Sequence, residues 1–472
     1  MRQDTGMLVF LGSRVASAIL NLAAVAIFTR LGGVETYGIY LLVLAWAFVF
    51  HSLLTSWINE AFFARYREDA FDSYMSTALA MMAVSLIVAS LPVAVLVAQG
   101  YLTPSLAIAL GLTTTGLAAY DFSVQASRTR MHAMLSGTTT MLRAVLIVAA
   151  GSIALTMFHD PVALPIAVAL AHLGAAIPMF VSYRAHLFRF FNREMALELF
   201  RYGWPLMLAG ATWAFAQNID RIALGHYHGS ASVGPYGAMA DFLKQGFFVF
   251  GEVVMLSLVT VAKRAVTEGR MNDARSALRE AMRSIAVITV FGSLLVLVLQ
   301  DTIVTVFFGA EFHATARDLL PLLLVASSIL VFRTYYFGQV VYFLPSGMVQ
   351  FYAAALQLLV TAALVFALVP TYREHGAAIA LIAGQCASCA LVALWRSADF
   401  RMPVPAMDIA KIAAVGAVVW LLHLAVDRVV ADELARLLAN ITLIAGSGTL
   451  VLWHYDLFAL RLAMRHVIAF AR

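Results

Sequence analysis

The sequence predicts an all-α, polytopic membrane protein of about fourteen transmembrane helices, built as two pseudo-symmetric six-helix lobes with an additional C-terminal helix pair. Three observations lead there. Of the 472 residues, 62% are hydrophobic and 12% charged, against about 45–50% and about 25% in a soluble domain. Apolar runs of about 20 residues, the length that crosses a bilayer, recur along the chain and leave no stretch for a soluble domain. A short Gly/Gly/Tyr motif then recurs at the same place in both halves.

Breaks at charged, Gly and Pro residues place the first six helices near 7–28, 37–64, 74–98, 103–125, 134–158 and 161–183. The next six fall near 203–224, 236–262, 284–308, 318–344, 347–369 and 376–396. The last pair, 407–427 and 433–456, is joined by a very short hairpin carrying Asp427, Arg428, Asp432 and Glu433. The first run, Met7 to Phe28, contains Arg14 and lacks a small-x-small cleavage site, so it reads as a retained helix and not as a secretion signal.

An even number of crossings puts both termini on one side of the membrane. Of the 31 Lys and Arg residues, about 20 sort to the side of the termini, about 5 to the other side and about 6 within spans. Both termini are therefore expected in the cytoplasm. The net charge of +5 reflects this orientation, and nucleic acid is not an expected partner. The expected organisation is a first lobe at 1–183, a cytoplasmic amphipathic linker at 184–202, a second lobe at 203–398, and the added pair with a basic cytoplasmic tail at 399–472.

Within the linker region, Arg184, Arg189, Arg193 and Arg201 lie beside Leu187, Phe191 and Met195, which are spaced four apart. Residues 263–283 repeat the idea, with Arg275, Arg279 and Arg283 beside Leu278 and Met282. Both segments read as amphipathic helices on an anionic leaflet, with membrane lipids as partners. The two cysteines, Cys386 and Cys389, are too few for a metal site or a disulfide framework and read as small packing residues.

The repeat sits in the first external loop of each half. Gly33, Gly38 and Tyr40 follow helix 1, and Gly229, Gly234 and Tyr236 follow helix 7, each pair separated by 196 residues. A displacement of six helices makes the halves parallel repeats related by an axis along the membrane normal, an arrangement that usually surrounds a substrate site.

Ionisable groups inside spans are costly and face an interior or a wet cavity, which makes them functional candidates. Arg333 falls near the middle of helix 10. Lys244 lies about a third of the way into helix 8, three residues from Asp241 on the same face. Arg14 is about 10 Å from the cytoplasmic end of helix 1, with Ser17 and Asn21 on its face. Arg143 in helix 5 is similarly deep, while Asp220 and Arg221 sit at the outer end of helix 7. Helix 2 carries Ser52, Thr55, Ser56 and Asn59 as one polar stripe with His51 at its margin. Asp241 and Glu252, nearly aligned on helix 8, are candidates for ion coupling. Arg14, Arg143, Lys244 and Arg333 would together make a cationic cavity, suited to an anionic ligand such as a lipid diphosphate. No nucleotide-phosphate loop or metal cluster appears at recognised spacing, so no cofactor or metal is expected.

The runs FTRLGGVETYGIY, WPLMLAGATWAFAQNIDRIALGHYHGSASVGPY, FFGAEFHATARDLLPLLLVASS and LVPTYREHGAAIALIAGQ resemble those of polysaccharide-repeat-unit flippases. These belong to the multidrug/oligosaccharidyl-lipid/polysaccharide exporter superfamily, and the likeness covers the first twelve helices. The resemblance implies a non-enzymatic transporter of the bacterial inner membrane. Its substrate would be an undecaprenyl-diphosphate-linked oligosaccharide for O-antigen, lipopolysaccharide or exopolysaccharide assembly, with a polysaccharide polymerase or other assembly proteins as partners. It also implies helices 1, 2, 7 and 8 around the cavity and a diphosphate-binding role for Arg14. A cation-coupled multidrug exporter of the same superfamily is the nearest rival, although such proteins commonly carry an acid in helix 1 where this chain has Arg14. A membrane glycan polymerase or ligase is the rival from another class, and the short external loops expected here speak against it.

Overall fold

The computed structural model describes residues 2–187, 191–344, 348–395 and 400–457, apart from the side chains of 2–11, 13–15, 133 and 186. Among these residues every regular element is helical. Eleven stretches are long and apolar enough to cross a membrane, fewer than the expected fourteen. Two of them, Ala16–Arg65 and Met348–Leu394, are about twice a single crossing and are bent within. Helix α7, Arg193–His228, falls outside the eleven; it carries Arg201, Asp220 and Arg221 along its length.

Helix α1 runs Arg2–His51 and bends at Gly33 (φ 68°, ψ −179°). A π-helical turn at Ser52–Ser56 leads into α2, Trp57–Arg65. Then follow α3 (Phe71–Ala98), α4 (Pro104–Thr129), α5 (Ala133–Met157), α6 (Ala163–Ser182) and α7. Helix α8 (Ser230–Val254) passes through a second π turn, Met255–Val259, into α9 (Thr260–Thr267). Helices α10 (Met271–Val298), α11 (Gln300–Phe307), α12 (His313–Tyr335), α13 (Met348–Leu394), α14 (Ala406–Val429) and α15 (Glu433–His454) complete the chain. Helix starts are set by side-chain caps: Asn192 Oδ1 accepts from the Glu194 and Met195 amides at 2.8 and 3.2 Å, and Asp432 Oδ1 accepts from Ala435 at 2.7 Å.

The basic segment 263–283 is not a separate surface helix. The chain turns at Gly269 (φ 74°), and α10 runs unbroken from Met271 because no Gly or Pro interrupts it before Gly292. Its amphipathic character holds: Ala274, Ala277, Leu278, Ala281 and Met282 are buried while Arg275 and Arg279 are exposed. In the other basic segment, Leu187 and Met195 pack against a buried cluster and Phe191 is exposed; Arg189 lies outside the described residues, as does the tail after 457.

Packing divides the chain into two compact units. Unit 1 comprises Met1–Ala238, Phe307–Thr315 and Leu358–Ala380. One end of it is an aromatic core of Trp57, Phe62, Phe71, Tyr74, Phe122 and Tyr183, tied by a 2.7 Å hydrogen bond from Tyr74 to Glu198. The other end is built by the repeated glycines. Gly33 and Gly229 adopt nearly the same backbone conformation (φ 68°, ψ −179° and φ 80°, ψ 174°), a region essentially closed to other residues. A Cβ on Gly38 would stand 1.8 Å from the Ser230 carbonyl oxygen, and one on Gly234 would stand 2.3 Å from that of Val34. The contacts are reciprocal, since Val34 and Ser230 are themselves one repeat apart. Val34 also donates its amide to Glu311 at 3.3 Å, and His228 Nε2 bonds the Val369 carbonyl at 2.8 Å, so two outlying segments of unit 1 fasten onto this end.

Unit 2 comprises Met239–Val306, Ala316–Gln357 and Leu381–Arg472. The C-terminal pair packs on α10 through Val287, Phe291, Leu294, Ile412, Val419, Ile444 and Val451. Gly416 lets α14 approach, because a Cβ there would meet Val290 at 2.4 Å. Arg283 pins the same contact by donating from Nε and Nη2 to Asp408 at 2.8 and 2.5 Å. Apolar side chains also face outward in rows, as on α3, where Ile87 and Leu91 are 66% and 64% exposed. That is a surface for lipid and not for water.

Candidate functional site

The deep basic residues fall into different surroundings in the two units. In unit 2, Arg333 lies within the last turn of α12 and not at mid-helix, because the α-helix ends at Tyr335 and a 3₁₀ turn, Phe337–Tyr342, comes next. The apolar run continues through that turn, which is why the sequence alone extends the helix. Gln339 donates to the Thr334 carbonyl at 2.9 Å and closes the end. Arg333 is 2% exposed. Its Nε donates to Ser388 Oγ at 2.6 Å and its Nη1 to Gln350 Oε1 at 3.4 Å, while Nη2 is buried without a partner among the described residues. No described carboxylate forms an ion pair with it. Carbonyl dipoles at the helix end favour the cation there, but they do not neutralise it.

Lys244 lies on the neighbouring part of unit 2. Its Nζ sits 5.4 Å from the Phe248 ring, and Phe248 meets Tyr335 edge-on at 5.1 Å, two residues from Arg333. Gly251 permits this proximity, since a Cβ there would meet the Tyr335 ring at 2.3 Å. Asp241 and Glu252 are half-buried on the same helix, and both have interactions of their own. Cys389, half-buried, is one residue from Ser388, and Cys386 is exposed.

In unit 1, Arg14 lies in α1 with its side chain outside the described residues. Asn21 is half-buried, and Ser17 donates to the Thr140 carbonyl at 3.3 Å, joining α1 to α5. Asp220 is buried near the C-terminal end of α7 and accepts from Tyr236 at 2.5 Å, so a repeated tyrosine anchors this acid. The polar stripe expected on helix 2 is broken by the π turn, whose extra residue rotates α2 relative to the end of α1. Thr55 and Asn59 are buried while Ser52 and Ser56 are half-buried, and Asn59 Oδ1 has no hydrogen-bond partner among the described residues.

What sequence reasoning missed is the company that Arg143 keeps. Its guanidinium lies 4.7 Å from the Tyr120 ring, with Nε buried and lacking a hydrogen-bond partner among the described residues. Tyr120 meets His172 of α6 edge-on at 5.7 Å. Next to it, Asp121 Oδ2 of α4 stands 2.8 Å from Nε2 of His51, and His51 Nδ1 stands 2.7 Å from Thr55 Oγ1. Arg143 and His172 both lie within electrostatic reach of Asp121. The signal was present: Asp121 is an acid inside the expected span 103–125, and intramembrane acids ask for a partner. Among the described residues no group of three His, Cys, Asp or Glu side chains is arranged to hold a metal.

Residues 5–261 match a family described as polysaccharide biosynthesis protein. A search of curated proteins found no match. The fold is similar to that of a lipid II flippase, MurJ, in an inward closed conformation, with a TM-score of 0.73, 15% identity, 97% of this chain and 100% of that chain covered. It is also similar to an inward-facing multidrug resistance MATE family transporter of the MOP superfamily, at TM-score 0.57 and 14% identity over 86% of this chain and 99% of that one. A mutant of the Vibrio cholerae MATE transporter VcmN aligns at TM-score 0.51 and 12% identity, over 82% and 94% of the two chains. At identities this low the likeness shows a shared fold alone.

Proposed function

This chain belongs to the polysaccharide biosynthesis protein family, and on that premise we propose that it is a flippase for undecaprenyl-diphosphate-linked oligosaccharide repeat units. It would carry them across the bacterial inner membrane for O-antigen or exopolysaccharide assembly, by alternating access and without enzymatic chemistry. Both termini are proposed to lie in the cytoplasm. Arg14 and Arg143 in unit 1 and Lys244 and Arg333 in unit 2 are each proposed to serve the diphosphate, with Asn21, Ser52 and Asn59 offering hydrogen bonds to it or to the sugars. The similarity to a lipid II flippase supports a lipid-linked substrate.

The observation that carries this reading is Arg333. A guanidinium 2% exposed and, among the described residues, bonded to a hydroxyl and an amide with no carboxylate partner carries a charge that those residues do not compensate, and burying such a charge costs several kcal/mol. An arriving diphosphate supplies the missing negative charge and accepts the idle Nη2 donor. The likeness to MATE transporters keeps drug export as a second reading, but a buried cation repels the cationic compounds that such a route would carry.

The test is rescue of surface glycan in a flippase-deficient strain, normalised to the amount of the protein in membranes. Arg333→Ala and Arg14→Ala are expected to abolish rescue at near-normal protein level, and Arg333→Lys to restore part of it, because lysine lacks the bidentate fork. Full rescue by both alanine variants would falsify the binding role.

A further inference from the structure

We propose that His51 and Asp121 form a proton-binding pair within unit 1, and that loading this pair is the event that couples proton movement to transport. The proton site stands on geometry alone; its coupling role rests on the flippase reading.

The hydrogen-bond partners define the loaded state of the pair. The Thr55 hydroxyl has one proton, and its oxygen lies 3.1 Å from the His51 carbonyl, one helical turn back, and 2.7 Å from His51 Nδ1. In the loaded state the hydroxyl donates to the carbonyl and presents only lone pairs to Nδ1, so Nδ1 carries a hydrogen. The other ring nitrogen, Nε2, faces a carboxylate oxygen at 2.8 Å. A proton must lie between them, either on the imidazole as imidazolium and carboxylate, or on Asp121 as acid and neutral imidazole. These forms contain the same number of protons, so the pair holds one exchangeable proton in both. If that proton leaves, two acceptors oppose each other at Nε2 and Oδ2, or the Thr55 hydroxyl abandons the His51 carbonyl to donate to Nδ1. In each case one proton decides how the π turn is tied to α4.

Its position suits a coupling device. His51 is the last residue of α1 before the π turn, its side chain 4% exposed, whereas the Asp121 side chain is 47% exposed. Of the two side chains, that of Asp121 is the more open to proton exchange. Extra turns of this kind recur at functional sites because the helical ladder is already interrupted there. Among the described residues the charged neighbours are these, with Arg128 of α4 acting on Glu60. Arg143 of α5 and His172 of α6 act on Asp121, and Glu60 of α2 feels its charge. On α3 and α7, Tyr74 and Glu198 are bonded to each other at 2.7 Å.

Charge then links the proton to the substrate. With the pair unloaded, the Asp121 carboxylate offsets the Arg143 guanidinium. With it loaded, the pair is neutral and the Arg143 charge is left over for an anion. Proton uptake and diphosphate binding thus favour each other, and by linkage the effect is reciprocal.

The first measurement needs no substrate: acid–base infrared difference spectra of the full-length protein in nanodiscs. Imidazole and carboxyl bands are expected to change together in the wild type; in His51→Gln the imidazole band is lost and the carboxyl band moves to a different pH, and in Asp121→Asn the carboxyl band is lost and the imidazole band moves. A carboxyl band unchanged in His51→Gln overturns the shared proton. Should both variants fail to fold, Thr55→Val removes only the hydroxyl, and a titration identical to wild type in that variant overturns the hydrogen-bond assignment. The second measurement adds undecaprenyl diphosphate to weakly buffered nanodiscs and follows pH. Wild type should take up protons and His51→Gln should not; undiminished uptake in His51→Gln overturns the coupling role. Failure of the wild type to bind the lipid, with the infrared titration intact, would instead sink the flippase reading and leave the proton pair standing.

Discussion

The two units handle deep charge in opposite ways. In unit 1, Arg143 shares its surroundings with Asp121, His51 and His172, so positive and negative groups balance within the protein. In unit 2, the described partners of Arg333 are Ser388 and Gln350, which orient it but cannot neutralise it. A balanced cluster can respond to a proton, because one added charge tips it. An unbalanced cation responds to a ligand, because only an outside anion completes it. Burial alone therefore does not reveal what a charged residue is for; its partners do.

That contrast can be broken by substitution. The largest expected effect is on export: Arg333→Ala should lower it by about a hundredfold, equivalent to ~2.8 kcal/mol at ~1.4 kcal/mol per tenfold. The next is on folding in unit 1. Asp121→Ala leaves the buried His51 Nε2 without its partner and should cost about 2 kcal/mol, discounted from a fully buried pair because Asp121 is half-exposed. Thermal unfolding of purified protein in nanodiscs reads this directly, and an unfolding midpoint equal to wild type would mean that His51 finds another acceptor. Smaller and of opposite sign, Arg333→Met should raise stability by about 1 kcal/mol while export stays lost, since an apolar chain of similar length replaces an uncompensated ion. A drop in stability with that variant would show Arg333 to be a structural residue. The smallest effect belongs to an ion pair away from both clusters. Arg283→Ala, which frees Asp408 at a site 28% and 20% exposed, should cost only about 0.5 to 1 kcal/mol in the same assay.

Much of this architecture could be read from the chain. The all-helical membrane class was legible, the repeated glycines marked the bend at Gly33 and the break at Gly229, and the apolar run around Arg333 marked it as an unusual place for a cation. The failures share a cause. A helical wheel assumes uniform pitch, and the π turn at Ser52–Ser56 displaces Asn59 from the face that the wheel assigns to it. A wheel also describes one helix at a time, whereas Asp121 meets His51 across 70 residues of sequence. Arg333 falls in the last turn of α12 and not at the mid-helix position that hydropathy suggests, because hydropathy does not distinguish the α-helix from the 3₁₀ turn that continues it.

The reciprocal glycine contact has a mechanical meaning. Gly38 rests on the Ser230 carbonyl and Gly234 on that of Val34, main chain against main chain, with no side chain to deform. Such a contact sets a fixed spacing inside unit 1: no side chain lies between the two backbones to yield, so their separation does not depend on any rotamer. A methyl group added at either glycine would collide with the opposing carbonyl and force the two backbones apart.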